Sequence, residues 1–201
     1  MEAVVRFAAT LVAIAVAFFG AGSALASNLV DNPGFETGDL TDWTRSGNTT
    51  YITVVNYTPY VHSGDYGLQF SGTSADGGAG ILSQTLATDP GQDYVVDFWL
   101  YSPGGGNGFS VTFDGNTLFS EIDVPAAMPT PAYTEYTFTS TAKNSSALLQ
   151  FSAYDNPGFF GLDDVSVTLV PEPSAVVLLA LGAMGIASAA IRRRVRRGRL
   201  A

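Results

Sequence analysis

From Ser27 to about Val170, apolar and polar residues alternate in short runs bounded by glycine, proline, asparagine or aspartate, and no stretch spaces its apolar positions as a helix does. The runs predict strands at 51–56, 66–71, 81–87, 94–101, 109–113, 118–124, 133–141, 147–154 and 161–170. Between them stand Ser63-Gly64-Asp65, Asp76-Gly77-Gly78, Asp89-Pro90-Gly91, the run from Gly104 to Gly108, and Asp114-Gly115-Asn116. Each offers the positive φ or the fixed proline that a tight turn needs. Eight or nine strands at this spacing imply an all-β fold, a two-sheet antiparallel jelly-roll sandwich. If Tyr94, Val96, Phe98 and Leu100 form the inward row of their strand, then Val95, Asp97, Trp99 and Tyr101 stand on the outer face.

Two apolar segments flank this region and follow a different pattern. Residues 1–26 carry Arg6, an apolar run from Phe7 to Gly20, and small residues at Ala24 and Ala26. That is the layout of a secretory signal helix cut by signal peptidase between Ala26 and Ser27; the alternative is an uncleaved membrane helix. At the other end come Pro171, Glu172 and Pro173, an uncharged run over 175–191, then Arg192, Arg193, Arg194, Arg196, Arg197 and Arg199. The prolines fix φ and forbid continuation of a strand, so the triplet should be an extended, accessible peptide. As a helix the apolar run is about 25 Å long, at the short end of what spans a bilayer. The arginines would then stay on the cytosolic side and place the body of the chain across the membrane. The organisation expected is therefore a signal peptide (1–26), a β-sandwich domain (27–169) and a C-terminal sorting segment (170–201).

The Pro-Glu-Pro triplet, short membrane helix and arginine-rich end together resemble the C-terminal sorting signal of bacterial PEP-CTERM proteins. The resemblance implies recognition by an exosortase that cuts near the triplet and passes the protein to the cell surface or extracellular matrix. An ordinary tail anchor has no reason to carry such a triplet directly before its helix.

Charge matters once the ends are set aside. Of the 18 acidic residues, Glu2 and Glu172 lie outside 27–170, leaving 16; only Arg45 and Lys143 of the nine basic ones lie inside, so this region carries −14. Nucleic acid is excluded as a partner, while divalent cations are favoured. Cysteine is absent, which removes disulfides and thiol chemistry. The one histidine, His62, sits beside a turn and has no second histidine for a zinc site, nor an evident triad. The glycine run 104–108 lacks a Lys-Ser/Thr and reads as a hairpin tip.

The opening, Asn28-Leu29-Val30-Asp31-Asn32-Pro33-Gly34-Phe35-Glu36-Thr37-Gly38 with Trp43 after it, and the closing run from Phe160 to Val167, resemble the two ends of carbohydrate-binding modules with a galactose-binding-like β-sandwich. In those modules the opening glutamate and a carboxylate at the start of the last strand meet on a structural calcium ion, which by resemblance designates Glu36 and Asp163. Simple alternation places Asp163 on the same face as Val165 and Val167, aimed at the core, where calcium would offset its charge with help from carbonyls near Ser63 and Gly64. The other reading ends an edge strand at Asp163 and Asp164 in water and lets Glu36 cap a turn. For a ligand, Trp99 and Tyr101 beside Asp97 can stack on a pyranose and take a hydroxyl, with Gln150 and Tyr154 completing the platform; the opposite phase buries Trp99. Phe35 and Trp43 are expected in the core. The function that follows is non-catalytic binding or organisation of extracellular polysaccharide by an exported surface protein. The alternatives are an acidic matrix protein bridged by divalent ions and a small glycan hydrolase.

Overall fold

The computed structural model describes residues 27–74, 78–129, 132–155 and 157–171. The signal helix and its cleavage residue Ala26, the membrane helix, Glu172, Pro173 and the arginines lie outside them. Among the described residues no helix is long and apolar enough to cross a membrane.

Among the described residues ten strands occur: β1 (Thr44–Gly47), β2 (Ile52–Val55), β3 (Gly67–Phe70), β4 (Gly80–Ala87), β5 (Asp93–Tyr101), β6 (Gly108–Phe113), β7 (Asn116–Ile122), β8 (Tyr133–Thr141), β9 (Ser146–Tyr154) and β10 (Phe160–Leu169), with one 3-10 turn at Thr49–Tyr51. They form two five-stranded sheets, sheet A in the order β1-β4-β9-β6-β7 and sheet B in the order β2-β3-β10-β5-β8. Every pairing is antiparallel. All nine predicted strands are present. The tenth, β1, is exposed along its whole length and has no apolar position to announce it.

Alternation builds the core between the sheets. Tyr94, Val96, Phe98 and Leu100 are buried, as expected, and face Leu149, Phe151, Val111 and Phe109 of sheet A. Phe98 lies at the centre, with ring contacts to Phe109, Tyr136, Phe138 and Phe151. Each such ring removes on the order of 150–250 Å² from water, which sustains a sandwich that has no disulfide. Phe35 and Trp43 pack together at 5.7 Å and close one end of this core, with Trp43 Nε1 donating to the Asn32 carbonyl.

The β6–β7 hairpin turns on Asp114 and Gly115, both at positive φ (48° and 76°), as an Asp-Gly two-residue turn requires. In β10 the ladder with β5 is interrupted: Asp163 pairs with Trp99 and Ser166 with Asp97, with a bulge between them and Asp164 at φ 48°. The extra residue shifts the side-chain parity. Leu162 and Val165 therefore both point into the core, and Asp163 points the other way.

Candidate functional site

Two surfaces collect polar and aromatic side chains, one on the outer face of each sheet. On sheet A, the inward row of β9 is Ala147, Leu149, Phe151 and Ala153, which leaves Gln150, Ser152 and Tyr154 outside. Ser110 on β6 is paired with Ser152 on β9 and with Ser120 on β7. Around them lies a shallow depression of about 240 Å³ whose rim includes Tyr154, Glu121, Ile122 and Ala79. Gly108 is paired with Tyr154, and a Cβ at 108 would come within 2.6 Å of the ring carbon Cζ. The missing side chain is what lets the phenol end of Tyr154 lie across strand β6. The result is a partly exposed ring resting on backbone beside three serine hydroxyls in a row.

On sheet B the outer face is clasped by the loop between β2 and β3. The His62 ring stacks on Trp99, with centroids 4.0 Å apart and planes 14° apart, and Tyr133 closes on its other flank at 5.0 Å. His62 Nδ1 lies 2.7 Å from Asp164 Oδ2, and Ser63 Oγ donates to Asp164 Oδ1 at 2.8 Å. Beneath the loop, Asp163 is fully buried. Its Oδ2 accepts the backbone N–H groups of His62 and Ser63, and its Oδ1 that of Asp164. Burial pushes this carboxyl up to about 6, the three amides pulling the other way. Glu36 serves the same loop, accepting the N–H groups of Asp65 and Tyr66. Gly34 sits among all three acids: a Cβ there would touch Asp163, Asp164 and Glu36 at 3.5–3.6 Å.

These placements revise several sequence expectations. Asp163 shares the outer face with Trp99 and does not point into the core with Val165 and Val167, because the bulge resets the alternation. The loop turns main-chain N–H groups to Glu36 and Asp163, where carbonyls near Ser63 and Gly64 were expected. Asp97, Trp99 and Tyr101 do lie on the outer face of β5, each partly exposed. Gln150 and Tyr154, however, belong to sheet A and stand on the opposite side of the sandwich, so the five residues do not form one platform. His62, expected as a turn residue, is the lid over Trp99. The structure brings Glu36 and Asp163 together around one loop. Among the described residues no three His, Cys, Asp or Glu side chains are grouped to hold a metal. Ser27 is exposed, and Pro171 is exposed immediately after Val170, whose N–H donates to the Asp93 carbonyl. Strand spacing does not say which strands share a sheet, and Gly108 meets Tyr154 only through the β6–β9 pairing, so the sheet A depression has no local signature in the sequence.

Residues 27–157 match the family described as "Carbohydrate binding domain", and residues 169–194 match the "PEP-CTERM protein-sorting motif". A stretch of 73 residues is 34% identical to endo-1,4-beta-xylanase A of Thermoanaerobacterium saccharolyticum, covering 36% of this chain and 6% of the enzyme. Among solved structures, the TmCBM61 module in complex with β-1,4-galactotriose superposes with a TM-score of 0.58 at 22% identity, over 72% of this chain and 100% of the module. The CBM22-1 xylan-binding domain of Paenibacillus barcinonensis Xyn10C gives 0.52 at 18% identity, over 75% and 99%. At these identities the likeness is one of fold.

Proposed function

Because this chain belongs to the carbohydrate binding domain family and carries a PEP-CTERM protein-sorting motif, we propose that it is an exported surface protein that binds extracellular polysaccharide without cleaving it. The observation that carries the reading is Tyr154 laid across Gly108 in an open, hydroxyl-lined depression. A ring face backed by the sheet stacks on the C–H face of a pyranose, while Ser110, Ser120 and Ser152 take its hydroxyls. Trp99 is less suited to that task, since His62 already occupies its ring face. A non-catalytic role is supported by His62 being engaged in that stack and with Asp164. Affinity electrophoresis in gels containing soluble xylan or β-1,4-galactan tests the site. Tyr154→Ala should weaken retention about tenfold, equivalent to about 1.4 kcal/mol; unchanged retention on every polymer bound by the wild type would remove this depression as the site.

Sorting completes the proposal. The last backbone hydrogen bond of the fold is made by Val170, so the Pro171-Glu172-Pro173 triplet begins one residue beyond it. Exosortase would act at this triplet, after signal peptidase has acted between Ala26 and Ser27. Before processing, the helix over 175–191 and the arginines behind it would anchor the chain.

Calcium is the cofactor that Glu36 and Asp163 would hold. Carboxylates are the hard donors the ion takes, and Glu36 and Asp163 both border Gly34, but their oxygens accept main-chain N–H groups that the ion would have to displace. When bound it would offset the negative charge of that cluster. A second reading, divalent bridging of an acidic matrix protein, is favoured by one feature, the −14 carried by residues 27–170.

A further inference from the structure

A sheet face that meets water should alternate toward polar side chains. Sheet B departs from this at the end where β10 begins. Tyr51, at the end of the 3-10 turn, is exposed, and Phe159, just before β10, is partly exposed and packs on it. Tyr101 stands on β5 opposite Gly161, and Tyr57 and Tyr60 reach the same place from the β2–β3 loop. The rings touch in series: Tyr51 on Phe159 at 5.8 Å, Phe159 on Tyr60 at 6.3 Å, and Tyr60 on Tyr101 and Tyr57 at 6.0 and 5.7 Å. Tyr51 and Tyr57 keep 37% and 51% of their surface in water. Such a ridge is amphipathic, built of four tyrosines and one phenylalanine, and suits a partner that offers both C–H faces and hydroxyls.

We infer that this ridge is a second contact for neutral polysaccharide, so that the domain grips one chain segment with sheet A and another with sheet B. The inference rests on the reading that the domain binds polysaccharide, and adds that it does so from both sides. Charge selects the occupant. Of the two basic residues of the folded region, Lys143 lies between β8 and β9, and Arg45 on β1 donates Nη1 to the Ile52 carbonyl beside Tyr51; the ridge itself is built without lysine or arginine. A second copy would bring one body of charge −14 against another, and an anionic polymer would meet the same field. An uncharged glycan meets no such repulsion. Two faces on one rigid sandwich convert a binder into a cross-linker, with avidity on a network exceeding either contact alone.

The test uses the full chain in mild detergent with soluble xylan and soluble β-1,4-galactan as probes. Affinity electrophoresis reads binding, and light scattering of protein–polymer mixtures reads cross-linking. Tyr154→Ala and the pair Tyr51→Ala with Tyr57→Ala should each weaken retention about three- to tenfold and each abolish the rise in scattering. Only the triple variant should lose retention altogether. If the ridge pair disturbs folding, Tyr57→Ala alone serves, since its ring is half in water. Ridge variants that match the wild type in both readouts overturn the inference while leaving the sheet A reading intact. Loss of all retention in Tyr154→Ala overturns it too. Full retention in Tyr154→Ala with loss in the ridge variants removes the sheet A site and keeps the ridge. Sedimentation showing that the ridge variants turn a dimer into a monomer assigns the ridge to a second copy and overturns it, and a wild type that binds no polymer on an array of neutral polysaccharides overturns both readings.

Discussion

Asp163 is buried with its charge held by three N–H groups, and its carboxyl titrates near 6. Its folded pKa stands above the ordinary carboxylate value, so between about pH 4 and 6 the folded state binds more protons than the unfolded one, and stability must fall as pH rises through that window. Asp155, likewise raised by burial, acts in the same direction. Asp39 and Asp114, held below the usual range by hydrogen bonds to Thr41 and Asn144, lose their contribution only at lower pH. In EDTA the melting temperature should therefore rise as pH is lowered from 7 to 5. Saturating calcium should reverse the trend, because a bound cation keeps the carboxylate ionised. At one hundred times its Kd the ion adds about 2.7 kcal/mol, a few degrees for a domain of this size. Calorimetry on the wild type and Asp163→Ala, with and without EDTA, reads all of this. No response to EDTA in the wild type would dismiss the metal, and a flat pH profile in EDTA would dismiss the raised carboxyl. Gly108 allows an equally local prediction: Gly108→Ala should displace Tyr154 and reproduce the weakened glycan retention of Tyr154→Ala, whereas a purely structural Tyr154 would let the two variants diverge.

At the scale of elements, the clasp on sheet B depends on a bulge that no alternation rule anticipates. By admitting one extra residue at Asp164, β10 returns Val165 to the core and leaves Asp163 beside Trp99, where the β2–β3 loop can dock. That loop meets β5 through His62 on Trp99 and Tyr60 on Tyr101. His62→Ala should uncover Trp99. In a Trp43→Phe background its emission should shift to the red and become more accessible to acrylamide, while core packing around Phe98 persists. Emission that stays blue would mean that Tyr133, not His62, shields the indole. The same element shows how far a sequence can be read. The inward row of β5, and Leu149 and Phe151 of β9, were legible because period two is strict wherever one face is buried. Strand β1, Thr-Arg-Ser-Gly, offered no apolar position, and pairing with β4 alone makes it a strand. Trp99 and Gln150 were each correctly placed outward, yet on opposite sides of the molecule. Alternation reports the face of a strand but carries no information about which sheet the strand joins.

For the molecule as a whole, charge and export set the terms. The folded region carries −14, and self-repulsion of that size opposes compaction. Raising monovalent salt from about 0.01 to 0.15 M shortens the Debye length from about 30 to 8 Å and should raise the melting temperature. Calcium should exceed that effect at equal ionic strength only if it binds at Glu36 and Asp163, so Glu36→Gln should collapse the calcium curve onto the sodium one. The PEP-CTERM motif points to export, and the other charge cluster makes a prediction about topology. Arg192, Arg193, Arg194, Arg196 and Arg197 would be retained in the cytosol, leaving the sandwich outside with the Pro171-Glu172-Pro173 triplet between it and the bilayer. Protease added to intact spheroplasts should then digest the sandwich while an epitope placed after Ala201 survives. Exchanging those five arginines for glutamates should scramble the pattern, because the positive-inside bias is what opposes translocation of the tail. Protection of the sandwich in the unaltered chain would instead place it in the cytosol, where extracellular polysaccharide is out of reach of either sheet.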